Sequence, residues 1–343
     1  VLKSFDAKLY ARGVAKLVDS CQLSVVSDAL PQSADCSNGN AQCRNANVPA
    51  SSDLRTPNSD LRPICRDSAS LTTDNCQLST DIPWRPDVLD AHFVWPDGVG
   101  VSLLARRLGL PYVITLRGKI YPCLDVPAQR RQCAEALRGA AAVMSVDRRM
   151  ADVACELGAA PDRVSVIPNG VDLERFCLAD RHEARRRLGL PMQGRLLVTV
   201  AHLGVRKGHR EAIAALARLP EDVRLVLVGD GLQRGDADRL RRLAGALGVA
   251  ERLLLAGVQP AERIGDYFAA ADVGLLASYR EGCPNAVLES LACGRPVVAT
   301  DVGAVPDLID PGRNGAFVPV RAVEALTVAL SKVLDREWDA DAI

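Results

Sequence analysis

"DVGLLASYREGCPNAVLESLACGRPVVAT", residues 272–300, contains two kinds of pattern in one short stretch. Its opening, "DVGLLAS", is a continuous apolar run of strand length, the pattern of a strand buried on both faces. After a polar loop, Pro284 and Asn285 open a helical segment, and Gly294 stands where a helix is closed by a left-handed residue. "RPVVAT" then returns to the strand pattern. Strand, helix and strand in this order make a parallel pair joined by a crossover. Two glutamates lie in the connection, Glu281 in the loop and Glu289 one turn into the helix.

The same alternation extends to either side. "LLVTVAHL", "VRLVLVG" and "RLLLAG" precede the unit and "GAFVPV" follows it, with helices expected near 208–219, 236–248, 261–271, 285–293 and 323–335. Earlier in the chain, "DVLDAHF", "PYVITLRG", "AAVMSV" and "VSVIPNG" are separated by helical stretches such as "GVSLLARRLG" and "ADVACELG". Residues 177–193 between the two series are polar and read as a hinge. Apolar strands alternating with helices predict parallel sheets covered on both faces. The expected architecture is α/β, with two Rossmann-like domains, 84–176 and 177–343, facing across a cleft. Ligands in such sheets bind at the carboxyl ends of the strands.

The composition changes sharply near residue 20. Between Ser20 and Pro83 there is no Lys, Glu, Phe or Tyr, and Ser, Asp, Asn, Thr and Pro dominate. Such a stretch has too little apolar content to offset its ordering entropy, and 20–83 is expected to be a disordered insertion. "CQLS" occurs in it at 21–24 and again at 76–79. Ahead of it, Leu2, Phe5, Leu9, Val14 and Leu17 are spaced like one face of a helix, so 1–19 is expected to be a helix of the first domain.

The 343 residues carry 42 basic and 42 acidic side chains, a formal net charge of zero. That balance gives no global attraction to nucleic acid, and at most peripheral contact with a membrane. No apolar run approaches the ~18 residues that span a bilayer, and the first residues lack a signal-peptide core, so a cytoplasmic protein is expected. None of the 11 cysteines is paired as C-x-x-C, so no zinc site is expected and the scattered ones read as core hydrophobes. No cofactor and no metal are expected.

Several residues carry chemistry. The start of the helix after Pro284 offers free N–H groups to a phosphate, with Gly282, Pro284 and Asn285 shaping the approach. Glu289 is placed to accept paired hydrogen bonds from a ribose diol, and Glu281 to grip a hydroxyl-rich group on the other side of the phosphate. In "HLGVRKGH", residues 202–209, Arg206 and Lys207 occupy a glycine-flanked turn at the end of a strand, suited to holding a diphosphate. "VGDG", 228–231, allows close backbone approach through Gly229 and Gly231. His92 ends the first strand of the regular part, and Arg117 and Gly118 end the next, facing the same cleft. His182 and His209 read as helix-surface residues. No G-x-G-x-x-G follows any strand, which disfavours a nicotinamide dehydrogenase.

Taken together, these residues resemble the group 1 glycosyltransferases, glycosyltransferase family 4, which have the GT-B fold. The matching pieces are the two glutamates of "EGCPNAVLE", "RKG" at 206–208, "VGDG", "IPNGVD" at 167–172 and "DAHFVWPDG", and they cover about residues 84–335. The resemblance implies retaining transfer of a sugar, usually without a metal, from a UDP-, GDP- or ADP-linked donor to an acceptor hydroxyl on a glycan, lipid or small molecule. It implies that Glu289 holds the ribose and Glu281 the donor sugar. Arg206 and Lys207 would bind the diphosphate, and His92 would touch the sugar beside the reaction centre. The chain departs from the pattern in lacking the opening strand with its glycine-rich loop, in the insertion at 20–83, in Lys119 and Ile120, and in stopping before the final helix. Truncation at both ends is therefore expected, with the first domain incomplete. A non-catalytic remnant that only binds nucleotide or nucleotide-sugar is the alternative reading.

Overall fold

The computed structural model describes residues 86–343; the helix expected at 1–19 and the insertion expected at 20–83 lie outside the described residues. The first strands are β1 (Leu89–His92), β2 (Tyr112–Leu116), β3 (Ala142–Ser145) and β4 (Val164–Val166). All pair in parallel, in the spatial order β1-β2-β3-β4. The helices α1 (Val99–Leu108), α2 (Tyr121–Leu124), α3 (Pro127–Gly139) and α4 (Arg148–Glu156) connect them.

A second parallel sheet holds β5 (Arg195–Val200), β6 (Val223–Val228), β7 (Leu253–Gly257), β8 (Val273–Leu276), β9 (Val297–Thr300) and β10 (Gly315–Val318). Its helices are α5 (Arg181–Leu188), α6 (His209–Leu216), α7 (Asp236–Ala246), α8 (Ile264–Ala270), α9 (Asn285–Ala292), α10 (Val305–Leu308) and α11 (Val323–Leu334). Residues Asp87–Ile343 belong to one compact unit.

The order of the second sheet is β10-β9-β8-β5-β6-β7. The chain runs outward from β5 to β7, then crosses back to β8 on the other side of β5 and runs outward again. Where the order reverses, the crossovers on the two sides leave in opposite directions and open a crevice beyond the strands' carboxyl ends. That point lies between β5 and β8, whose exits carry Arg206–Lys207 and Glu281.

Alternation along the strands builds a core on each face. Leu197, Leu225 and Leu227 face one way, into a cluster with Ile213, Leu216 and Leu330. Leu196, Val198, Val226 and Val228 face the other, against Phe268 and Tyr267. Each such large apolar side chain contributes about 1.5–3 kcal/mol when fully buried.

Two expectations are corrected. The polar segment 177–193 contains a helix, α5, capped by Asp180, whose carboxylate accepts from Glu183 N at 2.7 Å. The charged string "RHEARRRL" conceals its buried face because an arginine lies on it. Arg185 is 2% exposed, and its guanidinium donates to the carbonyls of Ala270 (3.1 Å) and Gly194 (3.0 Å) and to Asp272 Oδ2 (2.7 Å). Asp272 also binds Arg181 and accepts from Leu196 N at 2.7 Å, tying α5 to the edge between β5 and β8. The second correction is His209, which is 3% exposed rather than on a helix surface. It starts α6 directly beneath the β5 turn, where its Nε2 donates to His202 O at 3.0 Å and burial lowers its pKa. His182 is exposed, as expected.

Replacing Asp272 with Ala strands the buried Arg185 cation without its counter-charge, and a loss of about 3–5 kcal/mol is expected. Denaturant unfolding of the two proteins measures it, with Asp272→Asn showing a smaller loss. A change below 1 kcal/mol (roughly the value of an exposed pair) would contradict this role.

Candidate active site

The exit of β5 makes a single tight turn, Val205–Lys207, before Gly208 begins α6 in the left-handed region at φ 67°. A Cβ at Gly208 would lie 1.8 Å from Ala277 O, so the turn sits hard against the end of β8 and only glycine permits it. Tyr279 N donates to Arg206 O at 2.8 Å, and the Tyr279 hydroxyl donates to Glu211 Oε1 at 2.7 Å. The Arg321 guanidinium lies 4.6 Å from the centre of the Tyr279 ring. Tyr279 therefore clamps the two loops of the switch point together.

Across that clamp, Lys207 Nζ donates to Glu281 Oε1 at 2.6 Å, with only 20% and 15% of the two side chains exposed. Arg206 next to it is exposed and makes no ion pair among the described residues. One cation is thus held in place by a carboxylate while its neighbour keeps its charge available.

Helix α9 begins at Asn285 with Pro284 as its N-cap, and no side chain caps it. The N–H groups of Asn285 and Ala286 are therefore orphan donors at the positive end of the helix dipole, while Val287 N already donates to Pro284 O at 3.1 Å. Glu289 lies on the same face as Asn285, one turn further. It is half-buried, and burial raises its carboxyl pKa, opposed by the nearby Arg175 cation.

The four-stranded sheet presents its own strand ends to this loop. Arg117 follows β2 and donates from Nη1 to His92 Nδ1 at 3.3 Å and from Nη2 to Asn169 Oδ1 at 3.3 Å. His92 Nε2 lies 3.2 Å from Asp90 Oδ2. Asn169 Nδ2 donates to Cys283 O at 3.0 Å and to Asn285 Oδ1 at 2.8 Å. At Gly282 an added Cβ would lie 2.9 Å from Arg117 O, so this loop also approaches the end of β2 at backbone distance. A second link, Arg149 Nη2 to Asp301 Oδ1 at 2.6 Å, runs beside it.

The structure therefore gathers Lys207, Glu281, Gly282, Pro284 and Asn285 with His92, Arg117 and Gly118, and places Arg206 and Glu289 on the same two elements. Gly229 and Gly231 stand one strand away, at the exit of β6. Their lack of a side chain is required by internal packing, since a Cβ would lie 2.2 Å from Ala201 O and 2.8 Å from Asp236 Cβ. The Gly229 N–H is also already donated, to Gly257 O at 2.8 Å. His92 has partners on both ring nitrogens, so contact with a sugar would require one of them to give way.

Three residues were not singled out from the sequence. Tyr279 and Asn169 act through partners far along the chain, and Asn169 in "IPNGVD" reads locally as a strand exit. Asp147, at the exit of β3, caps α4 by accepting from Met150 N at 2.7 Å, while its Oδ2 is buried without a hydrogen bond and burial raises its pKa. Its unpartnered oxygen has no signature in spacing.

Comparison with known proteins gives a consistent result. Residues 180–342 match the family model described as glycosyl transferases group 1, and residues 54–175 match the one described as glycosyltransferase family 4. A D-inositol 3-phosphate glycosyltransferase of Acidothermus cellulolyticus is 32% identical over 73% of this chain and 60% of its own length. A 2-deoxystreptamine glucosyltransferase of Streptomyces kanamyceticus is 30% identical over 75% of this chain and 74% of its own. This chain thus spans about three fifths to three quarters of the length of these two relatives. Among solved structures, HepE of Anabaena in complex with UDP superposes with a TM-score of 0.67 at 23% identity, covering 73% of this chain and 69% of that one.

The raised pKa of Glu289 means that its ionised form is disfavoured in the folded protein. Glu289→Gln should therefore raise the melting temperature at neutral pH. The advantage should shrink as the pH falls through the Glu289 pKa, because the wild-type carboxyl is then protonated too. Melting curves of both proteins from neutral to acidic pH test this; a difference independent of pH would contradict it.

Proposed function

The chain belongs to the group 1 glycosyltransferases, glycosyltransferase family 4, on the GT-B fold, and on that premise we propose that it transfers a sugar from a nucleoside-diphosphate sugar to an acceptor hydroxyl. The observation that carries this reading is the Lys207–Glu281 pair, set across the switch point beside the uncapped start of α9. A diphosphate placed there meets the α9 N–H groups, Lys207 and the free Arg206 at once. Glu289, one turn further, accepts from the two ribose hydroxyls. Glu281 turns from Lys207 toward the hydroxyls of the donor sugar as the lysine engages phosphate.

As the bond between the anomeric carbon and the diphosphate breaks, negative charge grows on the phosphate oxygens. Fixed cations and N–H dipoles there stabilise the leaving group without having to reorganise. Transfer with retention is part of the proposal, resting on family membership. The acceptor hydroxyl would enter from the four-stranded sheet, past His92, with 84–176 as the acceptor half and 177–343 as the donor half. UDP is the first nucleotide to test, since HepE was solved with it. No observation in the described site favours a remnant that binds without turnover. Among the described residues no helix is long and apolar enough to cross a membrane.

Incubation with UDP-, GDP- and ADP-sugars, followed by detection of released nucleoside diphosphate, tests the reading. One donor should be consumed, faster when an acceptor is present. Glu289→Ala should weaken binding of that nucleotide by about 1–3 kcal/mol through loss of charged hydrogen bonds. A folded Glu289→Ala protein with unchanged affinity would remove Glu289 from the site.

A further inference from the structure

The hydrogen bonds between the two sheets have a direction that can be followed atom by atom. Arg117 has only donors, so the atoms it meets, His92 Nδ1 and Asn169 Oδ1, are both acceptors. In neutral His92 the proton is then on Nε2, where Asp90 Oδ2 at 3.2 Å accepts it. Asp90 is itself steadied by Thr115, whose hydroxyl donates to Oδ1 at 3.4 Å. With Asn169 Oδ1 turned to Arg117, its amide nitrogen must point the other way. There it finds two acceptors, Cys283 O at 3.0 Å and Asn285 Oδ1 at 2.8 Å. Every link satisfies its neighbour, and the amide at 169 accepts on one side and donates on the other, which neither a carboxylate nor an alkyl side chain there could do.

We propose that Asn169 is a positioning residue, fixing the His92–Arg117 pair and the first turn of α9 in register. The inference deepens the glycosyltransferase reading and rests on it for the identity of the ligand, but its geometry stands on the described contacts alone. His92 is held in one tautomer through Arg117. Asn285 and the Cys283 carbonyl, which frame the start of α9, are held by the same side chain. Release of Asn169 therefore reaches both halves of the site, including Glu289 one turn along.

The near-isostere separates the two halves. Asn169→Asp keeps an oxygen for Arg117 but puts a negative oxygen against Cys283 O, and Asn285 must turn its amide over to donate to it. Asn169→Ala loses both links. Nitrogen-15 NMR of the labelled full chain, which has four histidines, reads the His92 tautomer directly, assigned by its absence in His92→Gln. Calorimetric titration with UDP, GDP and ADP reads the α9 side, and melting curves confirm folding of each variant.

Wild type and Asn169→Asp should show the Nε2–H tautomer, and Asn169→Ala a mixture. Both variants should lose nucleotide affinity by at least about fivefold, the equivalent of one net hydrogen bond. Arg117→Ala combined with Asn169→Ala should be no worse for the tautomer than either alone. An Asn169→Ala protein with an unchanged tautomer would overturn the proposal, as would Asn169→Asp binding nucleotide like wild type. A wild type that binds none of the three nucleotides would instead defeat the glycosyltransferase reading, and the tautomer result would still decide the role of Asn169 toward His92.

Discussion

A lysine and a glutamate that meet at 2.6 Å between the two central strands of the larger sheet set the terms for the rest of the site. Each is mostly withdrawn from solvent, so neither charge would be tolerated there alone. The pair requires that the exits of β5 and β8 converge, and the backbone arranges this. Gly208 lets the first turn press on Ala277, and Tyr279 bonds across from one loop to the other. The sheet order makes these two exits neighbours even though Lys207 and Glu281 are 74 positions apart in sequence. A charge pair at a topological switch point is a binding site in waiting. It holds a cation and an acceptor preorganised, and a phosphate has only to replace the carboxylate as the partner of the lysine.

The helix that follows adds a second source of positive potential that involves no side chain. Helix α9 begins without a cap, which in an ordinary surface helix would forfeit about 1 kcal/mol of capping. Keeping those donors free, and then placing a half-buried Glu289 one turn away, makes sense where a ligand with phosphate and hydroxyls supplies the missing partners. The raised pKa of Glu289 points the same way, since its carboxylate lacks in the free protein the donors that a ribose would provide.

Much of this could be read from the residues because it is local. The ten described strands fall in the apolar runs, and the proline at the start of α9 and the glycine after its end lie where helix chemistry demands them. Glu281, Arg206 and Lys207 stand out by their placement on loops between regular elements, and Glu289 by its place one turn into the helix that follows. What was not legible depends on contacts distant in sequence. Helix α5 looked like a hinge because its buried residue is Arg185, which needs Asp272 and three carbonyls to be acceptable in a core. His209 looked exposed because nothing in "RKGHRE" shows that the preceding turn folds over it. Tyr279 works by bridging, and a bridge has no period; Asn169 lies within "IPNGVD", but the motif does not show which distant groups it joins. In "VGDG" the glycines read as points of close backbone approach to a ligand, yet the chain packs against itself there, which is sufficient reason for them.

The central claim is that the switch-point crevice between β5 and β8 is the nucleotide site, and a crystal structure of the full chain grown with UDP tests it most directly. The diphosphate is expected at the first N–H groups of α9 within hydrogen-bonding distance of Arg206 and Lys207, with the ribose hydroxyls on Glu289 and the Lys207–Glu281 contact lengthened. A nucleotide bound elsewhere on the chain, with Lys207 still on Glu281 and the α9 donors empty, would contradict it.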